Sequence, residues 1–228
     1  MKSVKFRMIA IALLSATMPF TAKAQDKVEA SVSADFVSNY IWRGTDCGGV
    51  SIQPSMGVSY KGLSLAAWGS VGIDKEDARE IDLTLGYNTG GFNVSVTDYW
   101  FSYHKEDGGY TGDYFKYGAH STIHIFEATL GYDFGPLALS WNTYFAGDDY
   151  TKENGDRAYS TYVGISAPFK LGGLDWSAEV GLTPWEGAYA NKFNVTNLTL
   201  KAEKEIKFTN SFSLPTFAQV TFNPHTQG

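Results

Sequence analysis

The chain has 228 residues, of which 43% are apolar, 15% are aromatic and only 18% are charged. An ordinary soluble domain has about 25% charged residues, and disordered chains and coiled coils depend on many more. This composition therefore excludes disorder and a coiled coil. The length suits one domain, and the single cysteine excludes an internal disulfide.

The first 24 residues are predicted to be a cleaved signal peptide. Basic residues precede an apolar stretch over 8–20, and a small-x-small cleavage site ends at Ala24. We expect residues 25–228 to form the mature domain. Cleavage removes four basic residues and no acid, so the mature chain is strongly acidic and would repel nucleic acid.

Alternation of apolar and polar residues is the dominant pattern of the mature chain. Over 28–42 the even positions except Ser38 are apolar and the odd positions are mostly polar, which predicts a two-faced strand of about fifteen residues. Similar patterns predict further strands, and helical spacing explains none of them. The predicted strands are 28–42, 50–60, 63–73, 79–88, 92–103, 123–134, 137–145, 158–169, 174–182, 193–206 and 211–222.

The connections between these strands alternate strictly between short and long. Short, Gly-bearing or polar turns are predicted at 61–62, 88–91, 135–136, 170–173 and 207–211. Longer connections are predicted at 44–49, 74–78, 104–122, 146–157 and 183–192. This alternation is typical of outer-membrane β-barrels, which have short periplasmic turns and longer outer loops. The sequence therefore predicts an all-β, antiparallel, up-and-down transmembrane barrel in the outer membrane of a Gram-negative bacterium.

Two features extend the barrel prediction. Bacterial barrels have an even number of strands, so we expect about twelve strands, with the last one missing from this chain. The apolar positions should form a lipid-facing belt about 25 Å tall. Its predicted members include Val32, Phe36, Val58, Leu65, Leu83, Leu130, Leu139, Val163, Val180 and Leu200.

One strand interrupts its own pattern. Apolar residues occupy even positions up to Val96, whereas aromatic residues occupy odd positions from Tyr99 onwards. Unbroken alternation would direct Asp98 towards lipid, which is costly for a charged side chain. We therefore expect a β-bulge near Thr97 and Asp98.

Three stretches carry a resemblance to a known family. They are FVSNYIWRG at 36–44, FEATLGYDFGPLALSWNTYFAGDD at 126–149 and FSLPTFAQVTFNP at 212–224. They resemble a group of bacterial outer-membrane barrels described as TorF-like porins, and the resemblance covers nearly all of the mature chain. It implies an outer-membrane barrel with a pore and brings no catalytic residues. Such proteins usually close with an aromatic-ended strand, which this chain lacks.

The polar face of the strands predicts an acidic lumen. By their position in the alternation, the inward acids are Glu29, Asp35, Glu80, Asp82, Glu127, Asp133, Asp175 and Glu179, and the inward bases are Arg43, Lys201 and Lys207. An acidic lumen would select small cations over anions. Alternatively, side chains such as Trp68, Tyr144 and Tyr162 could fill the interior.

The sequence offers no convincing catalytic or metal-binding group. His104, His120, Ser121, His124 and His225 could serve acid–base chemistry, but no acid is positioned to assist them. The acidic segment 147–156 lacks the spacing of a calcium loop, and Cys47 has no partner. We expect no enzyme activity, no cofactor and no metal.

Two functions are compatible with the sequence. The first is a channel for passive passage of small solutes with a cation-leaning lumen. The second is a closed structural or binding barrel that acts through its outer loops. In either case the expected partners are outer-membrane lipid and lipopolysaccharide.

Overall fold

The computed structural model describes residues 27–75, 77–106, 109–119 and 121–226. The predicted signal peptide lies outside the described residues. Within them the chain is all-β, and no helix is long and apolar enough to cross a membrane. The strands are β1 (Glu29–Val37), β2 (Tyr40–Trp42), β3 (Thr45–Gly48), β4 (Ser51–Tyr60), β5 (Leu63–Gly72), β6 (Arg79–Thr89), β7 (Phe92–Ser102), β8 (Ile125–Asp133), β9 (Ala138–Gly147), β10 (Thr161–Leu171), β11 (Leu174–Thr183), β12 (Asn194–Lys207) and β13 (Ser213–Phe222).

Eleven of these strands form one antiparallel sheet in the order β1-β4-β5-β6-β7-β8-β9-β10-β11-β12-β13, and β2 pairs only with β3. The sheet strands match the predicted strands in number and order. Their connections alternate as predicted, so the sheet has a turn end, where the short connections lie, and a loop end, where the long ones lie. Within the described residues β1 and β13 are unpaired edges, so the sheet is not closed.

The short turns have the backbone that tight hairpins need. Lys61 and Gly62 have φ values of 49° and 87°, and Gly172 and Gly173 have values of 62° and 77°. Positive φ at both central positions matches the right-handed twist of the flanking strands. A Cβ atom on Gly62 would also lie 2.4 Å from the Asn88 carbonyl oxygen, so a larger residue does not fit there.

The prediction of one strand over 28–42 is wrong in its second half. β1 ends at Val37, and after Ser38 and Asn39 the chain enters the separate β2–β3 hairpin. Arg43 and Gly44 form the hairpin turn with φ values of 50° and 80°. The predicted loop 44–49 is therefore largely the returning strand of this hairpin.

The two faces of the sheet have inverted polarity compared with a soluble protein. The outward face is apolar and exposed, with Val32 as its most exposed predicted member at 75%. All the predicted belt residues are exposed except Val163, which is half-buried. The inward face is polar and buried, and its members include Ser51, Gln53, Ser55, Ser70, Glu80, Asp82, Thr97, Glu127, Asn142, Asn197 and Lys201.

The predicted β-bulge at Thr97 and Asp98 is wrong. β7 pairs regularly with both β6 and β8 through these residues, so Asp98 stays on the outward face. The connection between β7 and β8 covers it there, because His124 and Tyr117 both contact its carboxylate. A bulge is not required to move the Asp98 carboxylate away from lipid, because the loop supplies hydrogen-bond partners for it.

Candidate functional site

The β2–β3 hairpin, residues 40–48, lies inside the curl of the sheet, and we call it the plug hairpin. The ring centroid of Tyr40 is 5.5 Å from that of Trp68 on β5. At the hairpin turn, a Cβ atom on Gly44 would lie only 1.9 Å from the Thr196 carbonyl oxygen on β12. Because strands from opposite parts of the sheet touch the same hairpin, the sheet wraps around it.

Arg43 is the centre of the contacts between the plug hairpin and the sheet. Its Nη1 and Nη2 atoms lie 2.5 and 2.8 Å from the two carboxylate oxygens of Glu127 on β8. The guanidinium also stacks on the rings of Trp42, at 4.3 Å, and Tyr162, at 4.8 Å. Such planar, two-pronged recognition needs arginine, because lysine offers only a point charge.

The Arg43–Glu127 pair is buried, and neighbouring hydroxyls add further hydrogen bonds to it, although Arg43 Nε has no hydrogen-bond partner among the described residues. Glu127 is 1% exposed and also accepts a bond of 2.9 Å from the Tyr99 hydroxyl. Arg43 donates to the Tyr189 hydroxyl at 2.6 Å, which in turn donates to Tyr144 at 3.2 Å. Burial raises the pKa of Tyr189 to about 12, so its hydroxyl keeps its proton at neutral pH. Additional hydrogen bonds of this kind help to offset the desolvation cost of a buried ion pair.

A second polar network ties β9, β10, β11 and β12 together across the interior. The fully buried Tyr162 donates to Glu179 at 2.5 Å, and the Asn197 amide donates to the Tyr162 hydroxyl at 2.9 Å. Asn142 donates to the Tyr162 carbonyl oxygen at 3.1 Å. A Cβ atom on Gly181 would lie 2.0 Å from the Tyr162 hydroxyl, so glycine is what lets this ring approach β11.

Buried carboxylates also lie beside the plug hairpin on β6. Glu80 accepts a hydrogen bond from the Tyr40 hydroxyl and is hydrogen-bonded to Asp82. Asp82 is 4% exposed, and its Oδ1 atom has no hydrogen-bond partner. This group differs from Glu127, whose charge Arg43 neutralises.

The residues predicted to line the lumen divide between the two ends of the sheet. Arg43, Glu80, Asp82, Glu127 and Lys201 are buried, and Asp35, Asp133 and Glu179 are half-buried. Glu29, Asp175 and Lys207 are exposed instead, although they lie at inward positions of the alternation. An inward position in the alternation therefore does not determine burial, and the buried members lie where the plug hairpin packs.

The outward face carries a polar group that the sequence argument missed. The Nδ1 atom of His124 lies 2.6 Å from an Asp98 oxygen, so the conclusion that no acid assists this histidine is wrong. Its Nε2 atom lies 2.7 Å from the Tyr114 carbonyl oxygen. Both ring nitrogens are therefore occupied, and neither is free to activate Ser121, whose hydroxyl contacts Gly118. His120 lies outside the described residues.

Two other candidates have structural partners. Asp149 of the acidic segment accepts bonds from the Ser160 amide at 3.2 Å and the Ser160 hydroxyl at 2.5 Å, and so fixes its own loop. Cys47 lies in β3 rather than in an outer loop, where burial raises the pKa of its thiol to about 12. Across the described part of the chain, no group of three or more His, Cys, Asp or Glu residues could hold a metal ion.

Comparison with known proteins finds no match to this chain among family models, curated proteins or solved structures.

Proposed function

We propose that the chain is an integral outer-membrane β-barrel protein whose interior is closed by the plug hairpin in this conformation. The inverted polarity of the sheet carries this proposal. In water an exposed apolar face with a buried polar face is unfavourable. In a bilayer the same arrangement is favourable, because lipid contacts the apolar face and the backbone groups pair between strands. The alternation of turns and loops and the resemblance to TorF-like porins support the same proposal.

A barrel requires that β1 and β13 approach each other. In a sheet of eleven antiparallel strands the two edge strands run in the same direction, so direct pairing would be parallel and a descending twelfth strand would restore antiparallel pairing. Two interactions support an approach of the edges. Asp35 of β1 interacts electrostatically with Lys201 of β12, and Asn223, after β13, donates to the Gly44 carbonyl oxygen at 3.1 Å.

The activity we propose is passage of small cations after displacement of the plug hairpin. The hairpin occupies the interior at Arg43, so the resting protein should conduct little. Once it leaves, Glu127 loses its partner and joins Glu80 and Asp82 as acids facing the passage. Rings of acidic side chains between low-dielectric walls favour cations.

Single-channel recording in a planar bilayer tests this activity. We expect rare openings of the full chain and frequent openings of Arg43→Ala, with Lys170→Ala as a control at the exposed turn end. The reversal potential under a KCl gradient should indicate cation preference. The preference should be strongest at low salt, because the Debye length falls from about 10 Å at 0.1 M to about 3 Å at 1 M. It should decrease when Asp35→Asn, Asp82→Asn and Glu179→Gln are combined, and anion preference would contradict the proposal.

A closed barrel that acts through its outer loops is the second candidate. The buried Trp68, Tyr144 and Tyr162 favour it, because they fill the interior together with the plug hairpin. The loop between β7 and β8 also presents Phe115, which is 87% exposed and suited to contact lipid or lipopolysaccharide. Folded Arg43→Ala protein that never conducts would support this candidate over the channel.

A further inference from the structure

Glu80 and Asp82 form a pair of carboxylates whose negative charge the plug hairpin does not neutralise. They lie two residues apart on β6, so both point to the inward face, and both are buried. Arg43, the basic residue of the plug hairpin, is paired with Glu127. Asp82 also experiences the negative charges of Glu127 and Asp98. Burying this much negative charge is unfavourable unless a positive charge joins it.

Two carboxyl groups in contact need either a shared proton or a bound cation between them. A shared proton would satisfy the contact between Glu80 and Asp82, but it would leave Asp82 Oδ1 without a partner, as observed. Buried oxygens without partners are rare, and each calls for an explanation such as an ion. A cation bound beside Asp82 could contact Oδ1 and Glu80 together.

From this arrangement we infer that Glu80 and Asp82 bind a divalent hard cation, with Ca²⁺ as the ion that fits best. Two carboxylates balance its charge, and the hydroxyls of Tyr40 and Ser70 provide oxygen atoms beside Glu80. Ca²⁺ accepts irregular sets of six to eight oxygen ligands, whereas Mg²⁺ demands octahedral geometry and keeps its waters. Binding joins the plug hairpin to β6 through Tyr40, and it does not require that the barrel conducts.

Tb³⁺ luminescence of the full chain in detergent micelles tests this site. Tb³⁺ occupies Ca²⁺ sites and emits when a nearby aromatic ring is excited, and both Tyr40 and Trp68 adjoin the acids. We expect saturable emission that Ca²⁺ displaces. Asp82→Asn and Glu80→Gln should each weaken binding at least tenfold. Trp68→Phe should reduce the emission without changing the Ca²⁺ concentration that displaces Tb³⁺.

Asp175→Asn is the matched control, since this acid has the same inward parity but is exposed at the turn end. It should bind Tb³⁺ like the unmodified chain. Absence of Tb³⁺ emission would overturn the site, and so would emission that is as strong in Asp82→Asn as in Asp175→Asn. A shared proton would then explain the contact between Glu80 and Asp82. Heat-modifiable gel migration checks that each variant is folded, and Glu80→Gln with Trp68→Phe carries the test if Asp82→Asn fails to fold. Absence of conductance in the planar-bilayer recording would not alter this result, so the channel proposal and the cation-site proposal can fail separately.

Discussion

The two ends of the inward face place the same kinds of residue in opposite environments. At the loop end, Glu127 is 1% exposed and is paired with a buried arginine. At the turn end, the Asp175 side chain is 65% exposed and its partner Lys170 is more exposed still. Both acids have inward parity, yet only one lies where the plug hairpin packs. Alternation thus selects the face of a residue, whereas a long-range contact decides its burial.

This contrast leads to a graded expectation for mutations. A charge at the loop end has been removed from water and depends on its partner, whereas a charge at the turn end keeps its solvent. The cost of a substitution should therefore fall from the centre of the plug hairpin towards the turns.

The largest effect is expected for Arg43→Ala. It leaves Glu127 buried without its partner, which typically costs about 3–5 kcal/mol of folding free energy. Chemical denaturation monitored by tryptophan fluorescence measures this loss. Alkylation of Cys47, the single cysteine, should also become faster as the hairpin loosens. Arg43→Met combined with Glu127→Gln should recover much of the stability, and a single-variant loss below about 1 kcal/mol would show that the pair does not hold the hairpin.

The next effect concerns the backbone of the hairpin turn. Gly44 has φ of 80°, and any Cβ atom there would clash with the Thr196 carbonyl oxygen. Gly172 has φ of 62° but nothing within 4 Å of the same position. We expect Gly172→Ala to cost about 1 kcal/mol and Gly44→Ala roughly 2–3 kcal/mol, because overpacking adds to the left-handed strain. Equal costs would mean that the hairpin yields freely and does not seal against β12.

A smaller effect is expected for Tyr162→Phe. The change removes the hydroxyl that donates to Glu179 and accepts from Asn197, while the ring that stacks under Arg43 remains. Loss of these two hydrogen bonds costs about 1–3 kcal/mol, while Asn197 still donates to Glu179 at 3.1 Å. Tyr132→Phe, on the exposed outward face, is the control and should be near neutral. Denaturation midpoints that fall equally for both variants would contradict the network.

The sheet could be predicted from sequence because its signals are local. Alternation over ten residues and Gly-bearing turns set the strands, their order and the apolar belt. The plug hairpin could not be predicted in the same way, since it is stabilised by contacts such as Arg43 with Glu127, which are far apart in the chain. A local signal did exist, because Val37 and Ile41 are apolar at positions where the preceding alternation is polar.

The error at Asp98 and the exposure of acids at the turn end have a related cause. A charged residue at an outward position suggested a bulge, but the covering loop brought His124 to it. Conversely, Asp175 has an inward position in the alternation, yet its side chain is exposed because no described element packs against it. In both cases the alternation predicted the correct face of the strand, whereas the environment of the side chain depended on a separate segment.

The smallest change in stability is expected for substitutions at Lys170 and Asp175, and these substitutions test the contrast between the two ends most directly. They form an ion pair next to the turn between β10 and β11, with both side chains exposed. Exposed pairs contribute less than about 1 kcal/mol, and salt screens them further. Asp175→Asn should therefore leave the denaturation midpoint nearly unchanged in 0.5 M NaCl, whereas Glu127→Gln should lower it clearly under the same conditions. A double-mutant cycle with Lys170→Ala isolates the pair from the separate effects of each side chain. A coupling energy at the turn end as large as that between Arg43 and Glu127 would mean that the interior is enclosed at both ends, and the contrast between the two ends would fail.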